Sequence, residues 1–130
     1  MAVFTRPCTW HYDLGLFREA VADEDRLEEL MGAIARDDQQ LLVAESNEEP
    51  AAFAWLAFDD RTVRLLRLHV ADNRPVELLF RSLIDRIESD HGATTSRTEV
   101  SRDAISGIED EGLWQAGFER EGSAWVRHAQ

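Results

Sequence analysis

Val70-Ala71-Asp72-Asn73-Arg74-Pro75-Val76-Glu77-Leu78-Leu79-Phe80-Arg81-Ser82-Leu83-Ile84 is the stretch on which the fold turns. It leaves an apolar run and crosses a polar turn. Pro75 has no amide hydrogen and a preset φ, so it suits the first turn of a helix. Leu78, Leu79, Leu83, Ile84 and Ile87 then recur at helical spacing, which predicts a helix to about Asp90 with those residues buried. His91 and Gly92 end it.

Upstream, Thr62 to Val70 reads as a strand. Strict alternation puts Val63, Leu65, Arg67 and His69 on one face and Arg64, Leu66, Leu68 and Val70 on the other. Asp59 and Asp60 turn back to a strand over Ala51 to Phe58, whose two faces are both apolar, as in a central strand covered on both sides. Ser46 to Pro50 is the turn from a preceding strand, Gln40 to Glu45. Ala2 to Thr5 is a short first strand. Asp13 is expected to cap a helix carrying Leu14, Phe17, Ala20 and Val21. Asp23 or Asp25 starts a second, with Leu27, Leu30, Met31 and Ile34 on one face and Asp37 and Asp38 at its end.

Downstream, Ala93 to Val100 is another strand. Asp103 is expected to cap a helix that runs to about Ala116, with a break at Gly107 or Gly112. Phe118 to Arg120 and Ala124 to His128 form a last hairpin. Two helices, a three-strand meander, helix, strand, helix and strand pair make a mixed α/β (α+β) domain spanning residues 1–130.

This order resembles the GNAT acetyltransferase superfamily. There the fourth strand feeds a long helix through a glycine-rich motif whose amides hold the coenzyme A pyrophosphate, as a helix N-terminus can. Aligning Val70 with the family's valine puts Leu83 and Ile84 on its paired apolar positions without a gap. Val76, Leu78 and Phe80 stand where glycine or a small residue is expected, and the basic position falls on Pro75. The resemblance implies a central mixed sheet with helices on both faces. It also implies acyl-CoA-dependent N-acyl transfer to a small amine, or related cleft chemistry, from a degenerate cofactor site. The side chains of Val76, Leu78 or Phe80 are expected to fill space that the phosphates use; Leu78 and Phe80 cannot share one side of the helix, so one is expected in the core and the other crowding the turn. Acetyl-CoA or another acyl-CoA is the implied donor. Leu68 and Val70 would meet it through their backbones, and Arg74 or Arg81 through a phosphate. His69, with Arg67 beside it, lines the implied cleft as general base. A half-solvated strand-end histidine without chemistry is the alternative for His69. Leu113 lies four residues before Gly117-Phe118, where the family carries a tyrosine proton donor, and Trp114 has no acidic proton to give. The same departures support an alternative function: a non-catalytic binding, scaffolding or regulatory module acting through protein contacts.

Composition bounds these readings. The 130 residues carry 26 acids against 14 basic residues, all arginine, for a net charge of −12. Such a chain repels phosphate backbones, which argues against nucleic acid as a partner. The acidity fits a GC-rich coding bias better than a salt-rich cytoplasm or an acidic decoy for a basic partner. No apolar run reaches the ~18 residues of a membrane span, and no signal peptide is visible, so the expected site is the cytoplasm. Cys8 is the one cysteine, expected as a near-core thiol in a reducing compartment. His11, His91 and His128 show no metal-ligand spacing. Arg97 and Glu99 are expected to form a structural ion pair, and the four tryptophans to lie in the core and cleft wall. A homodimer through the C-terminal hairpin, with Trp125 near the contact, is the expected assembly.

Overall fold

The computed structural model describes residues 3–21, 23–92, 94–101, 104–105 and 108–128. In chain order the elements are β1 (Val3–Pro7), α1 (Trp10–Ala20), α2 (Glu24–Ile34), β2 (Gln39–Ser46), β3 (Glu49–Asp59), β4 (Thr62–Val70), α3 (Val76–His91), β5 (Arg97–Ser101), α4 (Asp110–Gln115), β6 (Glu119–Glu121) and β7 (Ala124–His128). The seven strands form one sheet in the order β1-β2-β3-β4-β5-β7-β6. Only β4 and β5 run parallel; every other pair is antiparallel. The architecture is the expected mixed sheet with helices on both faces. No described helix is long and apolar enough to cross a membrane.

Two apolar clusters cover the two faces. On one, Leu16, Phe17 and Val21 of the α1 region and Leu30 of α2 meet Leu41, Val43 and Phe53. On the other, α3 packs on the alanines and leucines of β2, β3 and β4, and Leu113 of α4 joins the same cluster. The apolar character of both faces of β3 is thus used on both sides. The joint that decides the fold is as expected: β4 ends at Val70, Pro75 is the N-cap residue, and α3 follows without another element.

Several expectations need correction. The buried stripe of α3 is Leu79, Phe80, Leu83, Ile84 and Ile87, while Leu78 is 45% exposed. Residues two apart on a helix point about 200° apart, so burying Phe80, 5.9 Å from the Phe118 ring, turns Leu78 outward. In α2 only Leu30 and Ala33 are buried, and Met31 and Ile34 face solvent, because a narrow stripe suffices against β2. Asp23 is the cap of that helix, accepting from Asp25 N–H at 2.9 Å. Asp13 does not cap α1 from outside. It lies within the helix, fully buried, and accepts Thr9 N–H at 2.8 Å. Arg6 donates to both its oxygens at 2.7 and 2.9 Å and also pairs with Glu45, which ties α1 to the first two strands.

The β2–β3 turn is only Asn47-Glu48, both at positive φ, as a two-residue hairpin requires. The strands are correspondingly longer, with an irregularity where Pro50 faces Glu45. α4 is shorter than expected, and Gly112 lies buried inside it rather than breaking it. The expectations at Ala2, Ala93, Asp103 and Gly107 lie outside the described residues. Trp114 is 60% exposed, against the expectation of core or cleft wall.

A candidate active-site cleft where two parallel strands part

β4 changes partner status halfway along. From Thr62 to Leu65 it pairs with β3 on one side and with β5 on the other, the last parallel pair being Leu65 with Val100. At this point β4 carries one extra residue. Trp55 faces Arg67 while the next pair is Leu56 with Leu65, so Leu66 has no partner. Such a bulge bends and twists the strand that holds it. It also reverses the side-chain alternation. Val63, Leu65 and Leu68 all belong to the α3 cluster, whereas Arg67 and His69 sit opposite Trp55 and Phe53, on the α1 side. The single face expected for Val63, Leu65, Arg67 and His69 is therefore split in two.

Beyond Leu65 the edge of β4 faces a pocket of about 320 Å³, walled by Trp55, Leu66, Arg67, Leu68 and His69, with Arg26 of α2 among the rest. The Ala71 amide donates to Ala51 of β3 at 2.8 Å. Amides alternate along a strand, so those of Leu68 and Val70 point away from β3, to the free edge. The two residues expected to meet a ligand by backbone are thus on the open side.

Arg67 is oriented by the end of α1, where it donates to the Ala20 carbonyl at 2.7 Å. His69 lies with its ring 5.8 Å from Phe53 and its Nε2 3.4 Å from a Glu19 carboxylate oxygen. That is ion-pair range, but Nε2 is buried and makes no hydrogen bond. The side chain is 19% exposed and lines the pocket. Trp55 is in the cleft wall, as expected of the tryptophans; Glu19 and Arg26 went unassigned in the sequence, because each looks like any surface helix charge.

At the α3 end the Leu79 amide closes the first turn on the Pro75 carbonyl at 3.1 Å. The amides of Val76, Glu77 and Leu78 are left without intrahelical partners, as at any helix start. Arg74 is not among them. It pairs with Glu49 at 2.8 Å, back on the β2–β3 hairpin. Phe80 is core and Val76 packs beside it, leaving Leu78 as the bulky exposed side chain of this turn. The Glu77 carboxylate lies against Gly112 of α4, 3.1 Å from where a β-carbon would stand there. A groove of about 410 Å³ between these helices is lined by Glu77, Leu78, Arg81, Ser82 and Gln115.

The remaining candidates resolve structurally. Glu99 bridges Arg97 at 2.8 Å and Arg64 at 3.4 Å, the expected ion pair. Gly117, at φ 92°, ends α4, and Phe118 N–H returns to the Leu113 carbonyl at 3.0 Å. Leu113 is wholly buried. Trp125 is packed inward against the last helix, its ring 6.4 Å from that of Trp114, so it is not available at an edge. The edge strand β6 exposes Glu119, Arg120 and Glu121. Cys8 packs on the α1 cluster, and burial, then the Asp13 carboxylate, pushes its thiol up to about 12. Among the described residues no group of three or more His, Cys, Asp or Glu is placed to hold a metal.

The parted parallel pair, the strand-to-helix joint and the sheet order define the fold of the GNAT acetyltransferases. The structure of an aminoglycoside acetyltransferase, AAC(6')-Ib, in complex with coenzyme A has 17% identity and a TM-score of 0.70, over 98% of this chain and 95% of that one. A spermidine N-acetyltransferase SpeG chimera from Vibrio cholerae and hSSAT has 15% identity and a TM-score of 0.73, over 99% and 96%. An acetyltransferase of the GNAT family from Streptococcus pneumoniae has 13% identity and a TM-score of 0.64, over 99% and 100%. No family model matches the sequence, and no curated protein matches it.

Proposed function

We propose that the chain is a divergent member of the GNAT superfamily and an acyl-CoA-dependent N-acyltransferase acting on a small amine. The observation that carries this reading is the parting of β4 from β5 at Leu65 and Val100, with a pocket at the parting and an imidazole in its wall. Bound acyl-CoA would supply an activated thioester carbonyl. The free-edge amides of Leu68 and Val70 are suited to hold that carbonyl oxygen as negative charge develops on it. His69 is suited to take the proton of the attacking amine. Glu19 lies beside Nε2, within ion-pair range of an imidazolium. The amides at the start of α3 fit a phosphate, although no glycine lets it approach closely. With Leu113 buried, the departing thiolate takes its proton from elsewhere.

A second reading, a non-catalytic binding or regulatory module, draws on that same joint. Glu77 occupies the first turn of α3, Leu78 stands out from it, and Arg74 is held by Glu49. Thermal unfolding with acetyl-CoA and longer acyl-CoAs separates the two. A ligand at a hundred times its dissociation constant adds about 2.7 kcal/mol, so an N-acyltransferase shows a clear rise in Tm. An unchanged Tm at millimolar concentrations of every acyl-CoA favours the module.

A further inference from the structure

The acidity of the whole chain and the charge of its cleft disagree. The net charge is −12, yet the ionisable side chains among the described residues that line the β4 pocket are Arg26, Arg67 and His69, with no carboxylate. Among the described residues Arg26 has no ion-pair partner, and Arg67 bonds only the neutral carbonyl of Ala20. Among the described residues two guanidiniums therefore border the cavity without a paired carboxylate, and Glu19 nearby lies against His69. The rest of the wall is apolar, with Trp55, Leu30, Leu66 and Ile105. Guanidinium groups suit carboxylates in particular, because their planar N–H fork matches the two oxygens.

We propose that the acceptor is a carboxylate-bearing amine with an apolar body, such as an apolar α-amino acid, held at its carboxylate by Arg26 and Arg67. This rests on the reading of the pocket as an acceptor site. It sets the chain apart from an enzyme for polycations, which these arginines repel. The volume of about 320 Å³ is at the lower end of small-molecule sites and suits a single amino acid.

The test is calorimetric titration of the full chain with L-phenylalanine, 3-phenylpropionate and phenethylamine, which share one apolar body and differ in carboxylate and amine. Titrations run with and without coenzyme A. The two carboxylates are expected to bind roughly tenfold or more tightly than phenethylamine, as a charge-assisted contact implies. Arg26→Gln, at an exposed position on α2, is expected to weaken phenylalanine binding roughly threefold to tenfold and not to weaken phenethylamine binding, since it removes a like charge. Phenethylamine binding as tightly as phenylalanine overturns the proposal, and so does the absence of binding by either carboxylate. Competition between phenylalanine and coenzyme A overturns it too, since the cations would then serve the donor's phosphates. Absence of coenzyme A binding, with carboxylate selectivity intact, counts against acyl transfer and leaves the carboxylate site standing.

Discussion

The two halves of β4 have nearly the same apolar content and opposite fates. From Thr62 to Leu65 the strand is paired on both edges, and Val63 and Leu65 are core. From Arg67 to Val70 it is paired on one edge only among the described strands, and its other edge faces the pocket. One unpartnered residue, Leu66, separates the halves. Sheet pairing satisfies backbone groups internally, so the backbone of a paired half has little left with which to bind a ligand. The open half keeps amides and side chains free at a fixed position, which is what a site requires.

This contrast can be broken or sharpened by substitution. The largest effect is expected in the open half. If His69 is the base, His69→Gln lowers kcat with acetyl-CoA and an acceptor by roughly 10²–10⁴-fold and leaves the KM of acetyl-CoA nearly unchanged. Steady-state kinetics with a denaturation curve for the variant checks this, and near-normal kcat in a folded variant removes the role. The next effect lies in stability. Leu65→Ala, in the closed half, is expected to cost about 2–5 kcal/mol by urea unfolding. Leu66→Ala, one residue on and 37% exposed, is expected to cost under about 1 kcal/mol. Equal costs would mean that the bulge is packed as core and the contrast is false.

The smallest effect concerns the wall behind the cleft. Cys8 has its thiol raised from 9.0 to about 12. The unfolded chain thus loses this proton first as pH rises. The corresponding stability is full below pH 9.0 and falls as pH climbs toward about 12. Chemical denaturation between pH 8 and pH 11 should show a shallow decline that is reduced in Cys8→Ser. A decline of the same size in that variant would assign it to other groups.

Much of this was legible in the chain. The spacing from Val70 through Pro75 to Ile84 predicted a strand joined straight to a helix, and the joint is found there. The two apolar faces of β3 predicted a strand covered on both sides, and the two clusters cover it. The bulge was written in the sequence too, as a slip in alternation. Arg64 and Arg67 are three apart, His69 follows two later, and Leu65-Leu66 breaks the period between them. A strict period of two reads past that slip. Leu78 was misjudged for a related reason: a helix with seven apolar candidates can choose between two stripes, and the bulk of Phe80 chose the other.

By itself, then, the sequence determined the elements, the joint and the sheet's double cover. Each follows from local periodicity and from residues with restricted backbones, and these act within a few positions. Only the tertiary structure decided which residues meet in the cleft. Arg26 of α2, Trp55 of β3 and His69 of β4 come from three elements, and Glu19 of α1 reaches the histidine from a fourth. Their meeting depends on how two helices rest on one face of a bent strand. Packing sets that angle through contacts distant in sequence, and no local period records it.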